Sequence, residues 1–157
     1  MSKKQDTLLK EYRKKVGGVI FTQVSVGARS RGKVPSEYRF IDGVRLVHTR
    51  TSTGKTKKFG GNQAEFKKQA KGRIVEAIEV DEDLNRWVIG QAIVGKVMLE
   101  IEYGVYAAIP VVVCKVRDIA LEQACTVLGV KVWTPQDSYV VPVASSSKGK
   151  ENGTWKL

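Results

Sequence analysis

The chain has 157 residues, of which 42% are hydrophobic and 27% are charged. It is therefore about one domain long and can form a core without disulfides or a structural metal. Lys and Arg number 27 against 16 Asp and Glu, which gives a net charge of +11. This excess favours a polyanionic partner, either nucleic acid or an acidic membrane surface. We prefer nucleic acid to a surface that is basic only for solubility.

The sequence has no pattern typical of secreted, membrane-spanning or zinc-binding proteins. Cys114 and Cys125 are isolated, and His48 is the single histidine, which does not make a zinc pattern. We expect two buried thiols in a reducing compartment and a structural role for His48. The N-terminus lacks an apolar signal segment, and the longest apolar runs are shorter than a membrane span. The prediction is a soluble, cytoplasmic protein with no membrane partner.

The first half of the chain predicts one helix and two strands. An apolar stripe predicts a helix over 6–16, capped by Asp6 or Thr7. Runs rich in β-branched residues predict strands over 19–26 and 38–49.

Two basic connections surround the second strand. The loop over 27–36 precedes it, and a long polar segment over 50–72 follows it, within which a short helix over 62–70 could form. A connection of that length is usually functional or mobile. The basic residues of the two segments that we expect to bind phosphates are Arg29, Arg31, Lys33, Lys55, Lys57, Lys58, Lys67, Lys68 and Lys71.

The second half predicts a strand over 73–81, a long helix over 83–103 and a strand over 107–116. Because apolar residues also lie on the flanks of the helix, we expect it to be well buried, with Trp87 in the core. The strand over 107–116 is almost entirely apolar, which is typical of a central buried strand. Pro110 lacks a donor and should therefore lie near the start of this strand.

The chain ends in a helix, one or two short strands and a tail. Asp118 predicts the start of a helix over 119–128, and Gly129 predicts its end. A short strand over 130–133 follows, with Trp133 in the core. A further edge strand is predicted over 140–143. The polar residues 145–157 predict a flexible tail.

The element order is α-β-β-β-α-β-α-β. A strand-helix-strand unit makes a right-handed crossover, so the third and fourth strands should be parallel. The first three strands should form an antiparallel meander. The predicted fold class is therefore α/β, with residues 1–144 forming one mixed β-sheet flanked by helices on both faces.

Three acidic residues lie in the second and third predicted strands: Asp42, Glu79 and Asp81. Alternation along a strand places Glu79 and Asp81 on one face, and Asp42 on a face with apolar neighbours. A carboxylate on an apolar strand face is costly to bury unless it is paired or binds a cation. The three acids therefore predict a site for a hard metal ion. Two other interpretations stay open: Asp42 could mark a turn, and Asp81 could serve the start of the next helix.

The order of elements and the placement of acids resemble the PD-(D/E)XK, or restriction-endonuclease-like, nuclease superfamily. Its core is a helix, three strands, a helix and a strand. Its first acid lies on the second strand, which residues 38–44 match through Asp42. Its E-x-K triplet lies on the third strand, where Glu79 begins the triplet 79–81. The resemblance covers residues 6–134 and implies a restriction-endonuclease-like core.

Further parts of the resemblance lie on the helices. Residues 89–92 are similar to a glutamine motif of exonuclease-like branches through Gln91, which would orient water or metal. Glu11 lies where many members place an additional acid. The segment 111–133 resembles the closing strand-helix-strand.

The sequence departs from the family at two positions. The triplet ends in Asp81 where the family has a lysine that positions or activates the attacking water. Lys96, Lys115 or Lys71 could replace it, and Lys96 is our choice; Asp81 could instead be a third metal ligand. Gly95 stands where the exonuclease branch often has tyrosine.

The expected function is a Mg²⁺- or Mn²⁺-dependent nuclease that hydrolyses DNA, with DNA favoured over RNA. The expected metal ligands are Asp42, Glu79 and Asp81, and the expected catalytic residues are these three with Gln91 and Lys96. Two or three carboxylates can hold such an ion, which then activates water and stabilises phosphoryl charge. One alternative is a non-catalytic nucleic-acid-binding module with a decayed site. Another is a dimeric assembly protein, and a homodimer is also compatible with the nuclease.

Overall fold

The computed structural model describes residues 1–27, 39–47 and 55–137. The predicted strand over 140–143 and the tail from residue 145 lie outside these ranges. Within them the helices are α1 (Lys3–Val16), α2 (Gln63–Ala70), α3 (Arg86–Tyr103) and α4 (Ile119–Leu128), with a 3₁₀ turn at Phe59–Gly61. The strands are β1 (Val19–Val26), β2 (Arg39–Leu46), β3 (Lys55–Lys58), β4 (Ile74–Asp83), β5 (Ala107–Val116) and β6 (Lys131–Trp133).

The described strands form one mixed sheet in the order β3-β1-β2-β4-β5-β6. β1, β2 and β4 are antiparallel neighbours, whereas β4, β5 and β6 run parallel. The predicted meander and the predicted parallel crossover through α3 are both confirmed. Tyr12 of α1 packs near Ile78 on one face of the sheet, and Leu99 of α3 packs near Ala77 on the other. The fold is therefore α/β with helices on both faces, as predicted.

The basic connection contains a strand that the sequence analysis missed. β3 pairs in parallel with β1 and forms one edge of the sheet. Its residues Lys55, Lys57 and Lys58 therefore lie on a strand, and their placement on a loop was wrong. The pattern gave no signal because an edge strand with exposed lysines needs no apolar face, and such lysines also discourage further strand pairing.

Side-chain caps set the ends of α1 and α4. Ser2 accepts a hydrogen bond from the Gln5 N–H, and the Gln5 side chain accepts one from the Ser2 N–H. This capping box starts α1 at Lys3, so the predicted start at residue 6 was wrong. Asp118 caps α4 and Gly129 ends it in a left-handed conformation, as predicted.

α3 is only half buried. It starts at Arg86 rather than at residue 83, and one side of it packs on the sheet through residues such as Val88 and Leu99. On its other side Trp87 is 75% exposed. The prediction of a well-buried helix with Trp87 in the core was therefore wrong. Apolar residues occur all round this helix, but the sheet can cover only one side of it.

Pro110 and the cysteines agree with the sequence analysis. Pro110 is the fourth residue of β5, where the strand has a neighbour on one side only because β6 pairs with Val111–Val113. A missing N–H is tolerated there. Cys114 and Cys125 are buried free thiols. None of the helices in the described ranges has the length and apolarity needed to cross a bilayer.

Candidate active site

The sheet opens at Asp42. Pairing between β1 and β2 skips Gln23 and Asp42, and Gln23 has a φ of 54°. Pairing between β2 and β4 ends at Gly43, so Asp42 and Glu79 are the next opposed residues. The strands therefore place the two predicted acids side by side where backbone pairing stops.

Asp42 replaces the missing backbone partner of β4. Its Oδ2 accepts the Val80 N–H at 3.0 Å, and its Oδ1 accepts the Gln23 side-chain amide at 3.2 Å. The Asp42 N–H in turn donates to Glu79, and the two carboxyl groups hydrogen-bond to each other. The pair is thus held by main chain on both strands.

The strict alternation predicted along β2 fails at this point. Ile41 belongs to the same core cluster as Val44 and Leu46. Gly43, by contrast, approaches Leu9 of α1 on the opposite side of the sheet. Alternation predicts one side for Ile41 and Gly43, but they face opposite sides of the sheet, because the ladder between β1 and β2 is interrupted at Asp42. The Asp42 carboxylate consequently reaches sideways toward β4.

Burial raises the pKa of both carboxyl groups. For Glu79 burial is the larger cause and the Asp42 charge adds to it, which raises its pKa to about 9. Burial also raises the pKa of Asp42, against the hydrogen bonds from Val80 and Gln23. When no cation is bound, the Glu79 carboxyl therefore stays protonated at neutral pH, and its O–H donates a hydrogen bond to Asp42.

A proton shared by two buried carboxyl groups occupies a place that a divalent cation can take. Mg²⁺ and Mn²⁺ bind through few carboxylates and keep several waters, so the donor set of Asp42 and Glu79 fits either ion. Among the described residues no group of three or more His, Cys, Asp and Glu side chains converges. The structure therefore brings together two of the three predicted acids.

Asp81 is engaged at the start of α3. Its Oδ1 accepts the Glu82 N–H at 2.7 Å, and its Oδ2 accepts the Asn85 side-chain amide at 2.8 Å. The Asn85 side chain caps α3 by accepting the Val88 N–H at 2.9 Å. These contacts agree with the alternative interpretation of Asp81 as a residue that serves the helix start.

Glu79 lies in a cleft of about 590 Å³ between the start of β2 and the first half of α3. Gln91 also lines this cleft and is exposed to solvent. Gly95 lets the helix come close: a Cβ there would lie 3.3 Å from Ile41 and 3.7 Å from the Glu79 Oε1. The close approach explains a glycine in mid-helix, where it otherwise costs about 1 kcal/mol.

Four cleft residues were not predicted as functional: Arg39, Phe40, Arg86 and Trp87. Arg39 and Phe40 begin β2, and Arg86 and Trp87 begin α3, so two chain segments far apart in sequence meet at the cleft. The proximity of each pair to a motif, at Asp42 and at Gln91, was the available signal.

The lysine chosen to replace the family's catalytic lysine lies elsewhere. Lys96 forms an i,i+4 ion pair with Glu100 at 2.9 Å, and no lysine of the described residues lines the cleft that contains Glu79. Lys71 follows α2, and Lys115 is exposed near the end of β5. Glu11 is exposed on α1, which packs on the opposite face of the sheet.

The basic residues predicted to bind phosphates divide into two groups. Arg29, Arg31 and Lys33 lie outside the described residues, as does His48. Those in the described ranges lie on β3 and on or just after α2, and Lys57 of β3 forms an ion pair with Glu65 of α2. The members of this second group are Lys55, Lys57, Lys58, Lys67, Lys68 and Lys71.

No protein-family model, curated protein or solved structure matches this chain.

Proposed function

We propose that this protein is a Mg²⁺- or Mn²⁺-dependent nuclease that hydrolyses DNA. The observation that carries the proposal is the hydrogen-bonded pair of Asp42 and Glu79, placed where the sheet opens and with Glu79 in a cleft. Burying two carboxyl groups together is costly unless a cation binds them. Their position beside Arg39 and Arg86, which could bind a phosphate, therefore favours a metal site. The net charge of +11 supports a polyanionic substrate.

The carboxyl pair and the polar residues of the cleft can each take one role in phosphodiester hydrolysis. Asp42 and Glu79 would hold the ion after Glu79 loses its proton. When bound, the ion would activate water and stabilise charge on the phosphoryl oxygens. The Gln91 amide can orient the water, and Arg39 and Arg86 can hold the phosphates on either side of the scissile bond.

The order of elements supports a restriction-endonuclease-like core as the finer description of the fold. α1, β1, β2, β4, α3 and β5 follow the order helix, three strands, helix and strand. β3 and α2 are then an insertion between the second and third strands of that core. We also propose a cytoplasmic location, in keeping with two free buried thiols.

Cleavage of plasmid and linear DNA with Mg²⁺ or Mn²⁺ tests the proposal. Mutation of a residue that only hydrogen-bonds to a metal ligand typically lowers activity about 10–100-fold. Because Asp42 and Glu79 would be the ligands themselves, Asp42→Asn and Glu79→Gln should each lower the cleavage rate by at least ~100-fold. Glu82→Gln is the matched control, because Glu82 is an exposed carboxylate on the same strand. Wild-type rates in both variants would assign the cleavage to another site or to a contaminant.

Asp81→Asn tests whether Asp81 is a metal ligand or a residue that positions the start of α3. Because both Asp81 oxygens are bound at the α3 start, we expect the variant to lose about 1 kcal/mol of unfolding free energy. Its cleavage rate should stay within about tenfold of wild type. This is the lower end of the losses that follow when a residue next to a metal ligand, rather than the ligand itself, is mutated. Urea denaturation and the same cleavage assay measure the two effects. A loss as complete as that of Asp42→Asn would make Asp81 a metal ligand.

The second candidate is a module that binds nucleic acid without cutting it. The observation in its favour is the missing lysine: position 81 is an aspartate, and Lys96 is paired with Glu100. Binding with a steep salt dependence, together with no metal-stimulated cleavage, would identify it.

A further inference from the structure

Two exposed aromatic rings flank the cleft that contains Glu79. Trp87, at the start of α3, is 75% exposed, and Phe40, at the start of β2, is 51% exposed. Large aromatic side chains normally bury most of their surface. Trp87 does not contribute to the core, because the opposite side of α3 packs on the sheet.

The cleft combines an apolar lining with positive charge. Val94 adds to the aromatic surface, and Arg39 and Arg86 line the same cleft. Neither arginine forms an ion pair with another residue of the described ranges. An aromatic surface beside free guanidinium groups is the combination that binds single-stranded nucleic acid, with bases stacked and phosphates paired.

We infer that the cleft takes an unpaired nucleotide, so that the substrate is DNA with a single-stranded segment or end. The base stacks on Trp87 with Phe40 on the other side, and the arginines hold its phosphates. Binding of the nucleotide does not depend on the proposed function, but its cleavage does. In a nuclease, the phosphodiester next to the stacked base would be the one presented to Glu79. An intact duplex offers no free ring face, because its bases stack on one another.

A protein partner is the competing occupant of this surface. Val97 and Ile101 continue the exposed apolar side of α3 beyond the cleft. The arginines and the carboxyl pair beside the two rings favour a nucleotide, because interface cores are depleted in charge.

Binding measured in EDTA tests the inference apart from cleavage. Fluorescence anisotropy compares a labelled single-stranded oligothymidylate with a blunt duplex of equal length. Loss of one stacked base should weaken single-strand binding of Trp87→Ala about tenfold, with less than about twofold change on the duplex. Trp87→Phe should keep most of the affinity, because a phenyl ring still stacks. Tyr106→Ala is the matched control: Tyr106 is 76% exposed and lies beyond the other end of α3, which is about 27 Å long.

The outcomes separate the inference from the nuclease proposal. If single strands bind in a Trp87-dependent manner but metal stimulates no cleavage, the nuclease proposal is wrong and the inference of a nucleotide-binding cleft is confirmed. Cleavage that treats duplex and single strand alike, unaffected by Trp87→Ala, keeps the nuclease and overturns the inference. Equal losses on both ligands also overturn it. A change from dimer to monomer in Trp87→Ala, seen by sedimentation, assigns the surface to a second copy of the chain and overturns it too.

Discussion

Without divalent metal, the protein should lose stability as the pH rises from about 5 to 8, and Glu79→Gln should remove this loss. The folded protein raises the pKa of Glu79 to about 9, through burial and the Asp42 charge. Between the ordinary glutamate pKa and that value, the folded state binds more protons than the unfolded state. Its free energy of unfolding therefore falls with pH, by about 1 kcal/mol per unit and roughly 3 kcal/mol over this range.

Urea denaturation of both proteins in EDTA, at several pH values, measures this effect. The difference between wild type and Glu79→Gln isolates Glu79 from the other titrating groups. Glu82→Gln provides the control, since Glu82 is exposed on the same strand. Parallel pH profiles for wild type and Glu79→Gln would contradict a proton held between Asp42 and Glu79.

The same samples test the metal site. A ligand that binds only the folded state stabilises it in proportion to the logarithm of its concentration. Mg²⁺ or Mn²⁺ should therefore restore the stability of the wild type at high pH, where Glu79 loses its proton most easily. It should have little effect on Glu79→Gln. Equal stabilisation of both proteins would place the bound ion elsewhere.

The fold was predictable where strong local signals agree with the tertiary structure. β1 and β5 match their predicted ranges to the residue because their β-branched and apolar runs are bounded by glycines or polar residues. α4 does so because Asp118 and Gly129 mark both of its ends. β3 gave no signal, since its stability comes from backbone pairing with β1 at an edge. The exposed side of α3 was equally hidden, because the sequence does not say which apolar side meets the sheet.

The site was predictable in its two central residues and in one neighbour. The order of elements placed Asp42 and Glu79 on neighbouring strands, and the resemblance singled out Gln91, which lines the cleft that contains Glu79. The sequence left Asp81 open between a metal ligand and a residue of the helix start, because its contact with Asn85 depends on how β4 leads into α3. Glu76 shows the same limit: it lies three residues before Glu79 on the same strand, but it faces α1 and belongs to a different set of contacts.

Glu76→Gln should lower the free energy of unfolding by about 3–5 kcal/mol, because it leaves a buried arginine without its counter-charge. Glu76 is 1% exposed and accepts hydrogen bonds from Arg45 Nε at 2.6 Å and the Tyr12 hydroxyl at 2.8 Å. Burial, the largest single effect, raises its pKa, but the hydrogen bonds and charges of Arg45 and Lys131 outweigh it. The pKa of Glu76 is therefore lowered, so its contribution is present above the ordinary glutamate pKa and is lost in acid.

Equilibrium urea denaturation at neutral pH measures the loss. Glu122→Gln is the control, because Glu122 pairs with Arg117 at the surface, where such pairs contribute about 0–1 kcal/mol. The double variant Arg45→Met with Glu76→Met should be more stable than Glu76→Gln, since it removes both buried charges. A single variant that unfolds like wild type would mean that water reaches Arg45 from the α1 side. Cleavage by a folded Glu76→Gln should persist, because Glu76 and Glu79 act on opposite faces of the sheet.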